Sequence, residues 1–137
     1  MRINKIEFEN FRNFKEHGEI KCSTDGKVTI IYGKNGDGKT TLHQLFQWVF
    51  YGYVRFNKTT TDRLYNLQYE NECSFGETFQ VMGCIDFEHN NVQYSLRRIY
   101  TYKKGLNDSE KIAEEVSLQH MDSDYNWRRI DNPKELI

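Results

Sequence analysis

Neither sign of charge predominates in the sequence: 19 Lys and Arg face 20 Asp and Glu, for a formal net charge of -1. That balance excludes a global basic field of the kind that holds nucleic acid by its phosphates, so any DNA contact has to be local. No apolar run approaches the ~20 residues that span a bilayer, and no apolar stretch follows the charges near the N-terminus. A soluble, cytoplasmic protein without membrane partners is expected. Cysteine is sparse. Cys22, Cys73 and Cys84 form an odd set with no C-x-x-C spacing, and His17, His43, His89 and His120 set up no metal-ligand rhythm around them. Reduced, incidental thiols are expected. Repeats and low-complexity tracts are also missing.

Aromatic side chains, in contrast, are plentiful, with nine Tyr and nine Phe in 137 residues that are 37% hydrophobic. They supply a core in spite of a mean hydropathy of -0.83. One strand-rich domain follows, since domains commonly run to about 100–150 residues.

Residues 2–10 alternate Ile6 and Phe8 against Glu7 and Glu9, the period of a half-buried strand. Phe11-Arg12-Asn13-Phe14 interrupts it. A second short strand, residues 18–22, is closed by the turn formers Ser23-Thr24-Asp25-Gly26, and residues 28–32 (VTIIY) form a β-branched run expected to be covered on both faces. From Lys39 the period changes. Leu42, Leu45, Phe46, Val49 and Phe50 line one face of a helix, with Gly52 as its stop. Residues 53–78 are polar and aperiodic, and read as a surface excursion outside the core. Phe79, Val81, Gly83, Ile85 and Phe87 then alternate, as do Val92, Tyr94, Leu96 and Arg98, with Asn90-Asn91 supplying the turn of a hairpin. A charged loop at 103–111 leads to a third antiparallel strand at 112–120, carrying Val116 and Leu118. Asn132-Pro133 announces a helix within 131–137. The layout is thus a strand-and-helix core over about residues 1–52, an excursion at 53–78, an antiparallel region at 79–130 and a helix start at 131–137.

Gly33-Lys34-Asn35-Gly36-Asp37-Gly38-Lys39-Thr40 fits G-x-x-x-x-G-K-[ST], between an apolar strand and an amphipathic helix. Gly33, Gly36 and Gly38 allow backbone conformations in which successive amides converge on a phosphate oxygen. The following helix adds its N-terminal partial charge. Lys39 supplies a mobile cation for the β- and γ-phosphates, Thr40 a hydroxyl for magnesium, and Thr41 a contact for the α-phosphate. ATP with Mg2+ is the expected ligand pair. A GTPase would carry Asn-Lys-x-Asp, whereas Asn57-Lys58-Thr59-Thr60 lacks the Asp and comes too early. A small P-loop kinase would continue with alternating helices and parallel strands, which the hairpin pattern does not match. A third alternative is a non-catalytic docking module, with Tyr94, Tyr100 and Tyr102 as candidate contacts; aromatics at strand spacing more often pack in the core.

The segments INKIEFENFRNF (residues 3–14) and IIYGKNGDGKTTL (30–42), with the helix ending FYG, resemble the N-terminal lobe of the SMC/RecF-type ABC ATPases. Within that group the chain is most similar to break-repair ATPases and to the DndD-like ATPases of DNA sulfur modification. The resemblance implies an α/β, ABC-type P-loop NTPase lobe with an antiparallel β subdomain, acting in DNA repair, DNA modification or phage defence. It implies that Arg12 approaches the nucleotide phosphates, and that Arg63 or Arg55 touches phosphate or DNA. It further implies a C-terminal lobe, a second head in a homodimer, DNA and a possible nuclease as partners. The family's Q-loop glutamine, Leu-Ser-Gly-Gly-type signature and Asp-Glu Walker B are missing from these residues. Residues 81–86 (VMGCID) imitate Walker B, but Phe87 follows Asp86 where an acid is needed. The expectation is the start of a longer protein, cut before the Q-loop, or a split subunit; either holds nucleotide and hydrolyses it hardly at all alone.

Overall fold

The computed structural model describes residues 2–12, 14–22, 36–52 and 63–130, with 36–40 described by backbone only. Strands β1 (Arg2–Glu9), β2 (Gly18–Lys21), β3 (Thr78–His89), β4 (Val92–Lys103), β5 (Glu110–Met121) and β6 (Trp127–Ile130) form one sheet in the order β2-β1-β3-β4-β5-β6. All its pairings are antiparallel. Helix α1 (Gly36–Tyr51) packs on one face over β3 and β4, and a short helix α2 (Leu67–Glu72) precedes β3. The expected strand at 28–32 and the helix start at 131–137 lie outside the described residues.

Alternation along the hairpin decides which side chains meet α1. Phe79, Val81, Ile85 and Phe87 of β3 are buried on the α1 face, opposite Tyr102, Tyr100, Leu96 and Tyr94 of β4. Asn90 and Asn91 turn the chain with φ of 51° and 63°, the left-handed pair that matches strand twist. Tyr100 and Tyr102 are buried, and Tyr94 stacks on Phe87 at 5.3 Å, so all three belong to the packing of the lobe. As candidate docking contacts they are corrected here: cross-strand pairing claims their rings. Gly83 sits beneath α1, where a Cβ would come within 2.6 Å of Val49 and 2.9 Å of Leu45. The missing side chain sets how closely helix and sheet approach.

The buried stripe of α1 is Thr41, Leu42, Gln44, Leu45, Trp48 and Val49. Phe46 and Phe50, expected on that stripe, flank it: they stack on each other at 6.4 Å, and Phe50 leans on Phe87. Gly52 ends the helix with φ of 79° and donates its N–H to Trp48 O, the left-handed stop read from sequence.

Residues 64–72 correct the surface reading of the excursion. Leu64 and Tyr65 are buried, Tyr65 making edge contacts with Phe79 and Tyr102, and Glu70 of α2 is 5% exposed. Polar composition misled here because the polar groups are satisfied internally: Glu70 accepts from Ser109 Oγ, and Lys104 Nζ donates to Glu70 O.

On the face away from α1, Lys5 lies 2.7 Å from Glu7 and 3.6 Å from Asp86. The hydrogen bond from Lys5 holds the Glu7 carboxyl below its ordinary value, and Glu7 in turn raises the Lys5 ammonium. A depressed carboxyl stabilises fully above its unfolded value, near 4.5, and loses that contribution as pH falls through the lower folded value. The raised Lys5 contributes fully below 10.5 and loses its share as pH rises through the higher folded value. Partial exposure limits the pair to about 1 kcal/mol or less. Glu7→Gln is therefore expected to flatten the fall of Tm with pH on the acid side of 4.5, and a profile parallel to the wild type there would refute this role.

Candidate nucleotide-phosphate site

The helix that follows the glycine-rich loop begins at Gly36, inside the motif. A helix leaves its first amides without intrahelical acceptors, so the N–H groups of Gly36, Asp37 and Gly38 stand free of α1's own ladder. Those donors, with the helix dipole, fit an anionic phosphate at this end. The hydroxyl of Thr40 is a suitable magnesium ligand by its chemistry. Bound there, Mg2+ would neutralise phosphate charge. Gly33, Lys34, Asn35 and Arg55 lie outside the described residues, as do the side chains of Asp37, Lys39 and Thr40. Thr41 is 2% exposed, at the first buried position of α1. Among the described residues no cluster of three His, Cys, Asp or Glu side chains could hold a metal ion. Cys22, Cys73 and Cys84 are in no disulfide, and burial pushes Cys84 up, away from the reactive thiolate.

Arg12 sits in a built loop. Where β1 leaves the sheet after Glu9, Asn10 and Arg12 both take left-handed backbone, with φ of 52° and 51°, on either side of the fully buried Phe11. Phe11 stacks on Trp48 at 5.4 Å and so fastens the loop to α1. Arg12 N donates to Leu64 O at 2.8 Å, and Arg12 Nη1 to Arg63 O at 2.7 Å. Burial lowers the pKa of the guanidinium, which nonetheless stays charged at any physiological pH. Arg63 itself is ion-paired to Asp108 at 2.8 Å. The structure thus brings Arg12 against the backbone of Arg63 and engages the Arg63 side chain with β4–β5 loop charge.

Two asparagines that sequence reasoning passed over hold this arrangement. Asn10 is wholly buried; its Nδ2 donates to Gln80 O at 2.9 Å, and its Oδ1 accepts from Asn66 N at 2.9 Å. Asn66 Nδ2 then donates to Arg12 O, while Asn66 Oδ1 accepts from Tyr69 N and caps α2. Position alone offered a signal: an asparagine at a strand exit tolerates left-handed backbone and can replace a lost ladder partner. The Walker B imitation at 81–86 is an interior stretch of β3, paired with β4 throughout and with β1 from Met82 onward.

A G-x-x-x-x-G-K-[ST] motif whose later residues open helix α1, packed on an antiparallel sheet, marks a P-loop ATPase-type domain. The chain belongs to the AAA domain family, which matches residues 5–136. It is similar to proteins described as DNA replication and repair protein RecF. The relative from Lactococcus lactis subsp. cremoris is 27% identical over 92 residues, 67% of this chain and 23% of that protein. That from Chlorobium phaeovibrioides is 43% identical over 42 residues, 31% of this chain and 10% of that protein. That from Clostridioides difficile is 33% identical over 52 residues, covering 38% and 13%. The chain therefore spans less than a quarter of the length of these relatives. These matches support the resemblance to the N-terminal lobe of an SMC/RecF-like ATPase. Among the described residues no helix is long and apolar enough to cross a membrane.

Proposed function

We propose that this chain is the ATP-binding, N-terminal half-head of an ABC-type ATPase of the SMC/RecF and DndD-like group, serving DNA repair, DNA modification or phage defence. The observation that carries the reading is α1 beginning at Gly36 within Gly33–Thr40, so that a helix N-terminus meets the glycine-rich loop. Lys39 and the loop amides hold the phosphates, Thr40 holds Mg2+, and Thr41 supports the α-phosphate side. Arg12 adds a guanidinium: its strained backbone, over-determined by Leu64, Arg63 and Asn66, is the kind of outlier that functional loops maintain. Arg63 and Arg55 are secondary candidates for phosphate or DNA.

Hydrolysis then depends on groups supplied by a C-terminal lobe and by a second, homodimeric head, which in the resembled family carry the Asp-Glu Walker B and the opposing signature. DNA and a nuclease are partners of the assembly. The described strands are all antiparallel, which does not favour the alternating order of a small kinase.

Magnesium and ATP at about a hundredfold excess over Kd are expected to stabilise the chain by about 2.7 kcal/mol, read as a rise in Tm. Lys39→Ala is expected to remove the rise without lowering the nucleotide-free Tm. A wild-type chain unmoved by millimolar ATP would sink the reading.

A further inference from the structure

A cavity of about 480 Å³ opens at the far end of α1, between the helix C-terminus and the β4–β5 ladder. Arg98 and Tyr100 are its buried lining residues, with Phe50, Tyr51, Gly52, Lys111 and Glu114 among those around them. Arg98 is 8% exposed. A guanidinium taken that far from water demands compensation. Part comes from α1, which has no basic residue in its last turn: Arg98 Nε donates to Val49 O at 3.3 Å, placing the cation at the negative end of the helix dipole.

The terminal nitrogens are not buried without a partner and face the cavity, where no described carboxylate pairs with them. Arg98 faces Gly83 on β3 and Val116 on β5, neither of which carries a carboxylate. Glu114, diagonal to it, is taken by Lys111 at 2.9 Å. Lys111 Nζ also lies 4.5 Å from the Tyr100 ring centroid, which keeps this second cation at the cavity. Among the described lining residues, Arg98 and Lys111 against Glu114 leave one net positive charge. The two terminal guanidinium nitrogens remain as a planar fork suited to an oxyanion. Tyr51, 65% exposed, and Phe50 add an apolar flank for the body of a ligand.

We propose that this cavity is a second anion site, which takes the phosphate or carboxylate group of a small molecule on the Arg98 fork with Lys111 beside it. The 16 residues of α1 put it about 24 Å from the P-loop end of the same helix, so it is independent of nucleotide binding there.

The test is a backbone-amide NMR titration of the Lys39→Ala chain, in which the P-loop no longer competes, with phenyl phosphate in one arm and benzoate in the other. Saturable shifts at Gly52, Arg98 and Lys111 are expected in at least one arm, and the arm that saturates assigns phosphate or carboxylate as the ligand group. Arg98→Lys keeps the charge and loses the fork, and is expected to weaken binding about tenfold or more; Lys111→Gln, at the exposed rim, about threefold. The absence of saturation up to about 10 mM in both arms, or an affinity unchanged in both variants, overturns the proposal. Should Arg98→Lys fail to fold, Lys111→Gln decides alone.

Discussion

Trp48→Ala is expected to cost about 3–5 kcal/mol of folding stability, measured by urea denaturation followed by circular dichroism. Trp48 is fully buried on α1; it stacks on Phe11 at 5.4 Å and meets Tyr100 edge-on at 5.1 Å. Truncation would empty the point where the Arg12 loop, α1 and β4 converge, and rigid strands on one side limit how far the cavity can collapse. The indole also carries a cost. Its Nε1 is buried, with no acceptor among the described residues. Removing that donor relieves about 1–3 kcal/mol of desolvation. Trp48→Phe is therefore expected to stay within about 1 kcal/mol of the wild type, the lost ring volume offset by the relieved N–H. A Phe variant as unstable as the Ala variant would show that the N–H is satisfied and that indole volume is what matters.

Asn10→Ala is expected to cost about 3 kcal/mol and to loosen the Arg12 loop. The substitution leaves two backbone groups without partners, the Gln80 carbonyl and the Asn66 N–H, at about 1–3 kcal/mol each when buried. It also puts Ala at a φ of 52°, a region that Asn tolerates better. Asn10→Gly separates these contributions, since it relieves the backbone strain and still loses both hydrogen bonds. The two variants should differ by roughly 1 kcal/mol, with Gly the more stable. Because Asn66 also binds Arg12 O, amide exchange at Arg12 and Leu64 should accelerate in both. Protection unchanged at those amides would mean that Phe11 and Trp48 hold the loop without the asparagines.

How much of this was legible in the sequence depended on how local each cause was. The hairpin could be read residue by residue, since alternation from Phe79 to Phe87 and a turn at Asn90-Asn91 are short-range facts, and β3 and β4 follow them. The helix stop at Gly52 was equally local. Trp48 escaped the expected stripe because Phe46 and Phe50 fit the same periodicity, and no pattern within one helix says which of two adjoining faces the sheet will take. Residues 64–66 escaped for a different cause: their burial is decided by partners more than fifty residues away, Asn10 and Arg12 in particular.

By itself the sequence determined the G-x-x-x-x-G-K-[ST] pattern at Gly33–Thr40, the helix period after it, and the hairpin beyond, because each rests on the spacing of neighbouring residues. The tertiary structure alone decided that β1 inserts between β2 and β3, that Asn10 and Asn66 brace Arg12, and that Arg98 lies buried at the end of α1. Those outcomes belong to long-range pairing. A polar side chain can be buried when the fold brings a partner to it, and partners that far apart leave no trace in local spacing.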